Sequence, residues 1–444
     1  WLGENIPFVP VFDLEHNVAH NQLVAATYAR GIWTFPLDSV LIAAPGAQIS
    51  LSGNLGASGS ITAQPPGQTL AADPDGSFEF PAIPGCQDCT LTPYRNDNPT
   101  NGVTTFDLVL ISKHILGLEF LSTPYKIIAA DANRSGAVTT FDIVQLRKLI
   151  LGIDTAFAGN TSWRFVPSDF VFPSPQDPFS TTFPENLAVS ATNTSVPALD
   201  FTAIKVGDVN GTASTDFNML PEERRAPLPV LFSDQSFETG EQVVSVFSAD
   251  LSDLTGIQFS VRFDPEALAF EKIVPLAEGL LPEHFATNQT GRGLLSWSFD
   301  RSGQALTTGI QPLFEVHFKA RKSGTLNTAL QISDAPVIAY AYPADGAAYK
   351  PILLPKPENE TVFIAPNPFG LNGCWLYFPE IKKGEQELQI IDSQGKTLLR
   401  QVLPATGPWF ISSGLMPVSG TYFYRIVEKG SGKRVAGGRL VFLN

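Results

Sequence analysis

The residues with the clearest chemical potential lie between positions 131 and 142. This segment, DANRSGAVTTFD, carries side-chain oxygens at positions 1, 3, 5, 9 and 12 of a twelve-residue loop: Asp131, Asn133, Ser135, Thr139 and Asp142. Gly136 stands at position 6, and the carbonyl of Ala137 is available at position 7. Such spacing wraps a hard cation, because glycine permits the sharp turn and the last carboxylate enters from the start of a helix. The sequence therefore predicts a calcium site here, with an Asx-rich turn that only caps a helix as the alternative.

A second copy of this loop occurs 35 residues earlier and carries fewer charges. The string VTTFD runs from Val103 to Asp107 and again from Val138 to Asp142. Aligned on its aspartate, the earlier copy offers these donors at the same positions: Asn96, Asn98, Thr100, Gly102, Thr104 and Asp107. Only one of them is a carboxylate, so this loop alone should bind calcium weakly.

A third fragment, GDVNG at residues 207–211, has the composition of the opening of such a loop, with no helix after it. We expect Asp208 and Asn210 to return beside the first loop and to supply the missing carboxylate. A glycine-flanked Asx turn leading out of the domain would account for the same residues and is the alternative.

Each VTTFD string runs into an amphipathic helix that has to position its loop. The apolar residues follow the i, i+3, i+7 spacing of one buried stripe: Leu108, Ile111 and Ile115, then Ile143, Leu146 and Ile150. Gly117 and Gly152 stand where a helix commonly ends on a left-handed residue. Two short helices are therefore predicted to face each other.

These paired loops and helices, which close in LGL and LGI, resemble a dockerin. In that family, two calcium loops fold two helices that bind a cohesin partner. The resemblance implies calcium as the cofactor and residues 94–220 as the calcium-loop unit. Carried over by position, the expected partner contacts are Thr105, Lys113, His114, Thr140, Arg147 and Lys148. A Phe- and Pro-rich insertion before GDVNG departs from the family pattern.

Residues 221–357 contain long strands, from about Leu228 to Leu354, in which apolar and polar side chains alternate. Apolar Ile257, Phe259 and Val261 are interleaved with Gln258, Ser260 and Arg262, which predicts a sheet with one buried and one solvated face. The strings GIQFSVRFDP and LAFEKI resemble a cohesin, a jelly-roll-like sandwich whose flat face receives dockerins. This implies a protein partner through the dockerin-like or the cohesin-like face. The contact would be made within the chain or with other copies of it, head to tail.

The remaining segments carry weaker resemblances. Residues 1–34 are interpreted as the end of an upstream unit, and DGSFEFPAIPG in residues 35–93 resembles a small carboxypeptidase-regulatory-like sandwich. In residues 358–444, PNPF, ELQIIDSQGKTLLR and GTYFYRIVEKG resemble the Ig-like C-terminal sorting domain of type IX secretion in Bacteroidota. The last resemblance implies contact with the secretion machinery and a location outside the cell or on the outer-membrane surface of such a bacterium.

Composition agrees with a mostly-β chain of tandem sandwiches and one small helical unit, since 444 residues include 36 Gly and 36 Pro. A net charge of −14 makes nucleic acid a poor partner. No apolar stretch approaches the roughly 18 residues of a membrane span. Cys86 and Cys89 bracket two residues of a turn-rich segment, which favours a local disulfide in an oxidising compartment.

Motifs for catalysis are absent from the sequence: it has no GxSxG elbow, no phosphate loop and no dinucleotide fingerprint. Binding modules account for each segment, so we expect a non-catalytic, calcium-stabilised extracellular scaffold or adhesion protein. Two alternatives stay open. One is a self-assembling filament subunit joined through cohesin and dockerin faces, and the other is the C-terminal accessory region of a large secreted enzyme.

Overall fold

The chain forms a mostly-β structure in which three of the described helices lie between residues 105 and 150. The computed structural model describes residues 11–17, 20, 22–27, 31–36, 49–65, 67–83, 88–190, 199–214, 225–252, 254–301, 309–344, 348–356, 362–365, 373–378, 386–404 and 409–443. The chain divides into two compact units. The first comprises Trp1–Arg95, Arg164–Val171 and Thr182–Ala203, and the second comprises Asn96–Trp163, Phe172–Thr181 and Ile204–Asn444.

The first unit begins with small antiparallel sheets. Its first eight strands are β1 Val11–Asn17, β2 Gln22–Thr27, β3 Gly31–Pro36, β4 Ile49–Asn54, β5 Ser60–Gln64, β6 Gln68–Ala71, β7 Ser77–Ile83 and β8 Asp88–Tyr94. Strands β1, β2 and β3 form one sheet, and β4 pairs with β7. Leu51, Ile61, Phe80 and Leu91 are fully buried, as expected for strands with one apolar face.

Three helices follow: α1 Thr105–Ile115, α2 Pro124–Ala130 and α3 Thr140–Ile150. Helices α1 and α3 pack against each other, as their apolar stripes predicted. Gly117 and Gly152 end them with φ of 69° and 67°. Helix α2 was not expected, although Thr123 before Pro124 is a typical helix start.

Strands of the next segment are β9 Trp163–Pro167, β10 Leu187–Ser190 and β11 Phe201–Lys205. Strand β10 adds to the edge of a sheet in the order β10-β8-β5-β6, and β9 pairs with β11. Part of the Phe- and Pro-rich insertion thus belongs to the first unit, whereas the sequence assigned it to the helical unit. Cys89 of β8 is disulfide-bonded. Cys86, its expected partner, lies outside the described residues.

A large sandwich follows the helical unit. Its elements are β12 Arg225–Ser233, β13 Ser236–Phe237, β14 Gln242–Asp250, β15 Leu254–Phe263, β16 Leu268–Pro275, β17 Phe285–Ala286, β18 Leu294–Asp300, β19 Ile310–Ala320, β20 Gly324–Thr325, α4 Leu326–Ala329, β21 Leu330–Ser333, β22 Tyr340–Pro343 and β23 Tyr349–Lys356. The main strand order is β16-β19-β14-β12-β23-β22-β15-β18-β17, with β12 and β23 parallel. Buried aromatic rings, among them Phe259, Trp297 and Phe314, fill the core.

Strand β15 was expected to have one buried and one solvated face, and the structure differs from this expectation. Phe259 is buried as predicted, but Gln258 and Ser260 are also buried. The expectation of a solvated face was wrong at these two positions. Helix α1 packs against β15 and β18, and the Ser260 hydroxyl lies 2.9 Å from that of Ser296. A second layer therefore covers this part of the face.

The chain ends in a smaller two-sheet sandwich. Its strands are β24 Phe363–Ala365, β25 Cys374–Tyr377, β26 Gln386–Ile391, β27 Thr397–Val402, β28 Trp409–Ile411, β29 Gly420–Glu428 and β30 Arg434–Phe442. The sheets have the orders β24-β25-β28 and β27-β26-β29-β30 around a core that includes Leu376, Leu388 and Leu440. Across the described ranges, no helix is both long and apolar enough to cross a membrane.

Candidate metal loops and helix-docking face

The loop between α2 and α3 closes on a carboxylate at each end. Asp131 follows the last residue of α2, and its Oδ1 and Oδ2 accept hydrogen bonds from the amides of Ser135 and Gly136 at 2.8 and 2.9 Å. Asp142 lies in the first turn of α3, and its Oδ1 and Oδ2 accept from the amides of Asn133 and Thr139 at 3.2 and 2.8 Å. The loop is thus folded around both carboxylates, and the Asn160 side chain donates to the carbonyls of Asp131 and Ala132, each at 3.2 Å.

The same arrangement recurs between two segments that are far apart in sequence. Asp208 occupies the place of Asp131, since its Oδ1 and Oδ2 accept from the amides of Thr212 and Ala213 at 3.1 and 2.7 Å. The expectation that Asp208 returns beside the first loop matches this geometry. Asn210 takes the place of Asn133, because its amide donates to Asp107 Oδ1 at 3.2 Å.

Asp107 closes this arrangement from the first turn of α1. Its Oδ2 accepts from the amide of Thr104 at 2.8 Å, the distance found between Asp142 and Thr139 in the intact loop. Asp107 and Thr104 thereby occupy positions 12 and 9 of a loop whose earlier positions come from the other segment.

The junction between the two segments falls between positions 6 and 7. The Thr212 hydroxyl donates to the carbonyl of Gly102 at 3.2 Å, as the Ser135 hydroxyl donates to that of Ala137 at the same distance. A Cβ on Gly102 would lie 2.5 Å from the Ala213 backbone, so the segments abut. We call this pair of segments, residues 102–107 and 208–213, the split loop.

The structure corrects the residues that the sequence assigned to positions 1, 3 and 5 of the earlier loop. The Asn96 side-chain oxygen accepts from the amide of Ser162 at 2.9 Å, and the Asn98 carbonyl accepts from Asn101 in a turn. The Thr100 carbonyl closes a further turn with Val103. Asn96, Asn98 and Thr100 therefore lead into the loop, and positions 1, 3 and 5 belong to the following residues: Asp208, Asn210 and Thr212. Thr212 was missed, although DVNGTA has the spacing of DANRSG.

Both loops bring carboxylates together in buried surroundings. Burial, and then the neighbouring Asp208 carboxylate, raises the pKa of Asp107 to about 7. Burial also raises the pKa of Asp208 and of Asp142. In the described parts of the chain, His, Cys, Asp and Glu side chains do not gather in threes at a possible metal position. Each loop therefore offers two carboxylates with neutral oxygens, a donor set that suits a hard cation such as calcium.

The first turn of α1 docks on the large sandwich. The Thr105 amide donates to Gln258 Oε1 at 2.6 Å, and the Thr105 hydroxyl lies 2.7 Å from that of Ser298. Thr105 and Val109 are fully buried, and both face Gly256 of β15 closely enough that a Cβ there would touch them. The ring of Phe106 stacks on Tyr342, with centroids 5.4 Å apart.

The C-terminal half of α3 docks on the same sandwich. Arg147 forms an ion pair with Asp300 at the end of β18, and the two side chains are only 10% and 8% exposed. The Ser112 hydroxyl of α1 lies 3.5 Å from the other oxygen of Asp300. Gly152 lies against Pro336. The helical unit and the sandwich thus share a buried, polar-anchored contact within one chain.

The six residues expected to contact a partner have three different environments. Thr105 and Arg147 contact the sandwich of the same chain. Lys113 pairs with Glu119 at 2.9 Å, and His114 Nδ1 accepts from the amide of Leu121 at 3.3 Å. Burial lowers the pKa of His114. Thr140 and Lys148 are exposed.

Comparison with known proteins finds similarity in solved structures alone. No family model and no curated protein matches the chain. A type I cohesin–dockerin complex from Clostridium thermocellum is 14% identical with a TM-score of 0.24, over 30% of this chain and 94% of that one. The seventh ScaB type I cohesin of Pseudobacteroides cellulosolvens is 13% identical with a TM-score of 0.23, over 29% and 87%. A type II cohesin, A11 of Bacteroides cellulosolvens, is 13% identical with a TM-score of 0.24, over 29% and 99%.

Proposed function

We propose that this chain is a non-catalytic extracellular scaffold or adhesion protein whose helical unit is held together by calcium. The observation that carries the proposal is the split loop, whose hydrogen bonds repeat those of the intact loop position by position. An Asx turn that only capped a helix would not need a second carboxylate from a distant segment. Because the two loops have the same hydrogen-bond pattern, we expect both to bind the same cation.

The donors are assigned from the same correspondence. The intact loop would hold one ion through these residues: Asp131, Asn133, Ser135, the Ala137 carbonyl, Thr139 and Asp142. The split loop would hold the other through Asp208, Asn210, Thr212, the Gly102 carbonyl, Thr104 and Asp107. With two carboxylates each, affinities should fall near the ~0.1 to 1 mM of extracellular modules.

Calcium would stabilise the split loop in two ways. It would offset the repulsion between Asp107 and Asp208, which lie in a buried setting. It would also tie residues 102–107 to residues 208–213, a link between distant segments that an ion in the intact loop does not make, and an ion bound by the folded state alone stabilises that state. The helices would then present a rigid face to the sandwich.

Two further features support a surface protein. A disulfide at Cys89 suits an oxidising compartment. The terminal sandwich carries the motif blocks that resemble a type IX sorting domain, which favours export to the surface of a Bacteroidota bacterium. The docking of Thr105 and Arg147 on their own sandwich favours packing within the chain over head-to-tail joining of copies.

Calorimetric titration of calcium into EDTA-stripped protein tests this proposal. We expect two sites in the wild type and one in Asp208→Ala, because the split loop loses its first carboxylate. Asp169→Ala is the control, since Asp169 is exposed and lies outside both loops. Two sites in Asp208→Ala would discard the split loop as a metal site, and no calcium binding at all would discard calcium.

A further inference from the structure

We propose that the outer sheet face of the terminal sandwich binds an acidic polysaccharide that carries carboxylates on alternate sugar rings. We call this surface the arginine face and define it by Gln389, Arg400, Phe423, Arg425 and Arg434. The proposal adds a ligand to the scaffold or adhesion function proposed above, and it uses no residue of either metal loop.

The terminal sandwich differs in charge from the rest of the chain. Residues 358–444 carry 9 basic and 7 acidic side chains, a net charge of +2, whereas residues 1–357 carry 20 and 36, a net charge of −16. The positive charge favours an anionic ligand here, because opposite charges steer a ligand toward a surface. The net charge of −14 on the whole chain disfavours a polyanion as densely charged as nucleic acid.

Strand pairing places two arginines in one row across the sheet. Gln389 of β26 lies opposite Arg400 of β27 and opposite Arg425 of β29. Residues that lie opposite each other on neighbouring strands share one face of the sheet. Arg400 and Arg425 are exposed, whereas the neighbouring Leu388 and Ile390 belong to the core on the other face. The row Arg400, Gln389, Arg425 therefore lies on the outer face.

A further guanidinium is brought next to Arg425 by a glycine. Gly437 of β30 lies opposite Arg425, and a Cβ on Gly437 would lie 2.8 and 3.0 Å from Nη2 and Nε of Arg434. The Arg434 guanidinium thus occupies the space of the missing side chain, and its Nη2 donates to the Gly437 carbonyl at 3.0 Å. Two cations at neighbouring positions on a sheet repel each other. An anion bound by both would remove this repulsion.

Both guanidinium groups are held by acceptors without charge. Arg425 Nε donates to Gln389 Oε1 at 2.6 Å, and Gln389 Nε2 donates in turn to Glu387 Oε1 at 2.6 Å. Gln389 is only 6% exposed, so it fixes the position of Arg425. Among the residues that the structure describes, no carboxylate forms an ion pair with Arg425 or Arg434. Each group therefore retains N–H donors for a carboxylate, which arginine binds through two parallel hydrogen bonds.

The spacing of the row indicates a polymer with regularly placed charges. Arg400 and Arg425 lie two strands apart, about 10 Å at the usual strand separation. This distance is close to the length of a disaccharide, so a polysaccharide with a carboxylate on every second ring reaches both arginines. Phe423, two residues before Arg425 on the same face, is 47% exposed and offers an apolar ring against which a sugar can pack.

Binding of hyaluronan to the full chain in calcium tests the proposal, because this polymer carries one carboxylate on every second sugar ring. Binding to immobilised hyaluronan is followed by biolayer interferometry, with neutral dextran and poly-L-glutamate as parallel surfaces. We expect binding to hyaluronan that weakens as salt is added, and none to dextran. Poly-L-glutamate should bind more weakly than hyaluronan, because it has no sugar ring to pack on Phe423.

Arginine variants decide whether this face makes the contact. Arg425→Gln/Arg434→Gln should weaken hyaluronan binding by about tenfold or more, since both carboxylate-binding groups are lost. Arg262→Gln/Arg292→Gln is the matched control, because it removes the same charge from two exposed positions on the large sandwich, and it should bind like the wild type. Arg400→Gln leaves the contacts of Arg425 in place and should also weaken binding. Circular dichroism and thermal melts check that each variant folds.

Four outcomes overturn the proposal. They are no binding to hyaluronan, equal binding to dextran, equal affinities of the two double variants, and binding to poly-L-glutamate as tight as to hyaluronan. The last outcome would assign the face to an acidic polypeptide. Should Arg425→Gln/Arg434→Gln fail to fold, unchanged binding by Arg400→Gln overturns it instead. None of these results alters the calcium stoichiometry, so the two proposals fail separately.

Discussion

The amide of Val209 donates to Asp107 Oδ1 at 2.9 Å, although 102 residues separate the two in sequence. The same oxygen accepts from Asn210. This contact brings the end of the inserted segment back to the first turn of α1 and makes the split loop one structure.

Gly102 should be essential to the split loop for steric reasons. Gly102→Ala would place a methyl group 2.5 Å from the Ala213 backbone and push the halves apart. Gly117→Ala is the matched control, because its φ of 69° is close to the 71° of Gly102 while no atom lies within 4 Å. Both variants should lose about 1 to 2 kcal/mol of stability from the left-handed backbone. Calorimetry should show one calcium site in Gly102→Ala and two in Gly117→Ala, and equal numbers would contradict the split geometry.

The pH dependence of the metal-free protein should reveal Asp107. Burial and the Asp208 charge raise its pKa from 3.8 to about 7. The folded state therefore binds a proton that the unfolded state releases, and the stability from this proton is lost as pH rises through about 7. In EDTA, the melting temperature should fall between pH 5 and 8. In calcium the fall should be smaller, because the cation replaces the proton. A flat profile in EDTA would argue against this titration.

The buried Arg147–Asp300 ion pair should contribute more to the free energy of unfolding than the more exposed Lys113–Glu119 pair. Arg147→Ala leaves Asp300 buried without its cation, which should cost about 3 to 5 kcal/mol of unfolding free energy. Lys113→Ala removes a pair whose Glu119 is 61% exposed and should cost about 1 kcal/mol or less. Urea unfolding followed by tryptophan fluorescence measures both. Similar losses in the two variants would show that Arg147 does not anchor the helical unit.

Cys374 should be unreactive in the folded protein. Its thiol is buried, and burial raises its pKa to about 12, so the reactive thiolate is scarce at pH 8. Iodoacetamide at pH 8 should leave it unmodified in buffer and alkylate it in urea, as read by mass spectrometry. Rapid alkylation without urea would indicate that the terminal sandwich opens.

Local spacing determined much of the candidate site. The intact loop and the two helix starts depend on residues within twelve positions of each other, so Asp131, Thr139 and Asp142 could be assigned from sequence. For the split loop, the sequence offered two segments that could supply positions 1, 3 and 5. Its first carboxylate could therefore not be assigned from the sequence alone. The hydrogen bonds of the folded chain place Asp208, and not Asn96, at position 1 of this loop.

The sequence by itself determined the mostly-β class, the repeated helix starts and the two facing helices, because each is encoded in short-range periodicity and turn residues. Only the tertiary structure decided that Phe106 packs on Tyr342 while Phe141 is exposed. The two phenylalanines stand in nearly identical strings, so no local signal distinguishes them. Their difference arises because one sandwich face can cover only one side of the α1 and α3 pair. Which side it covers depends on contacts between segments far apart in the chain.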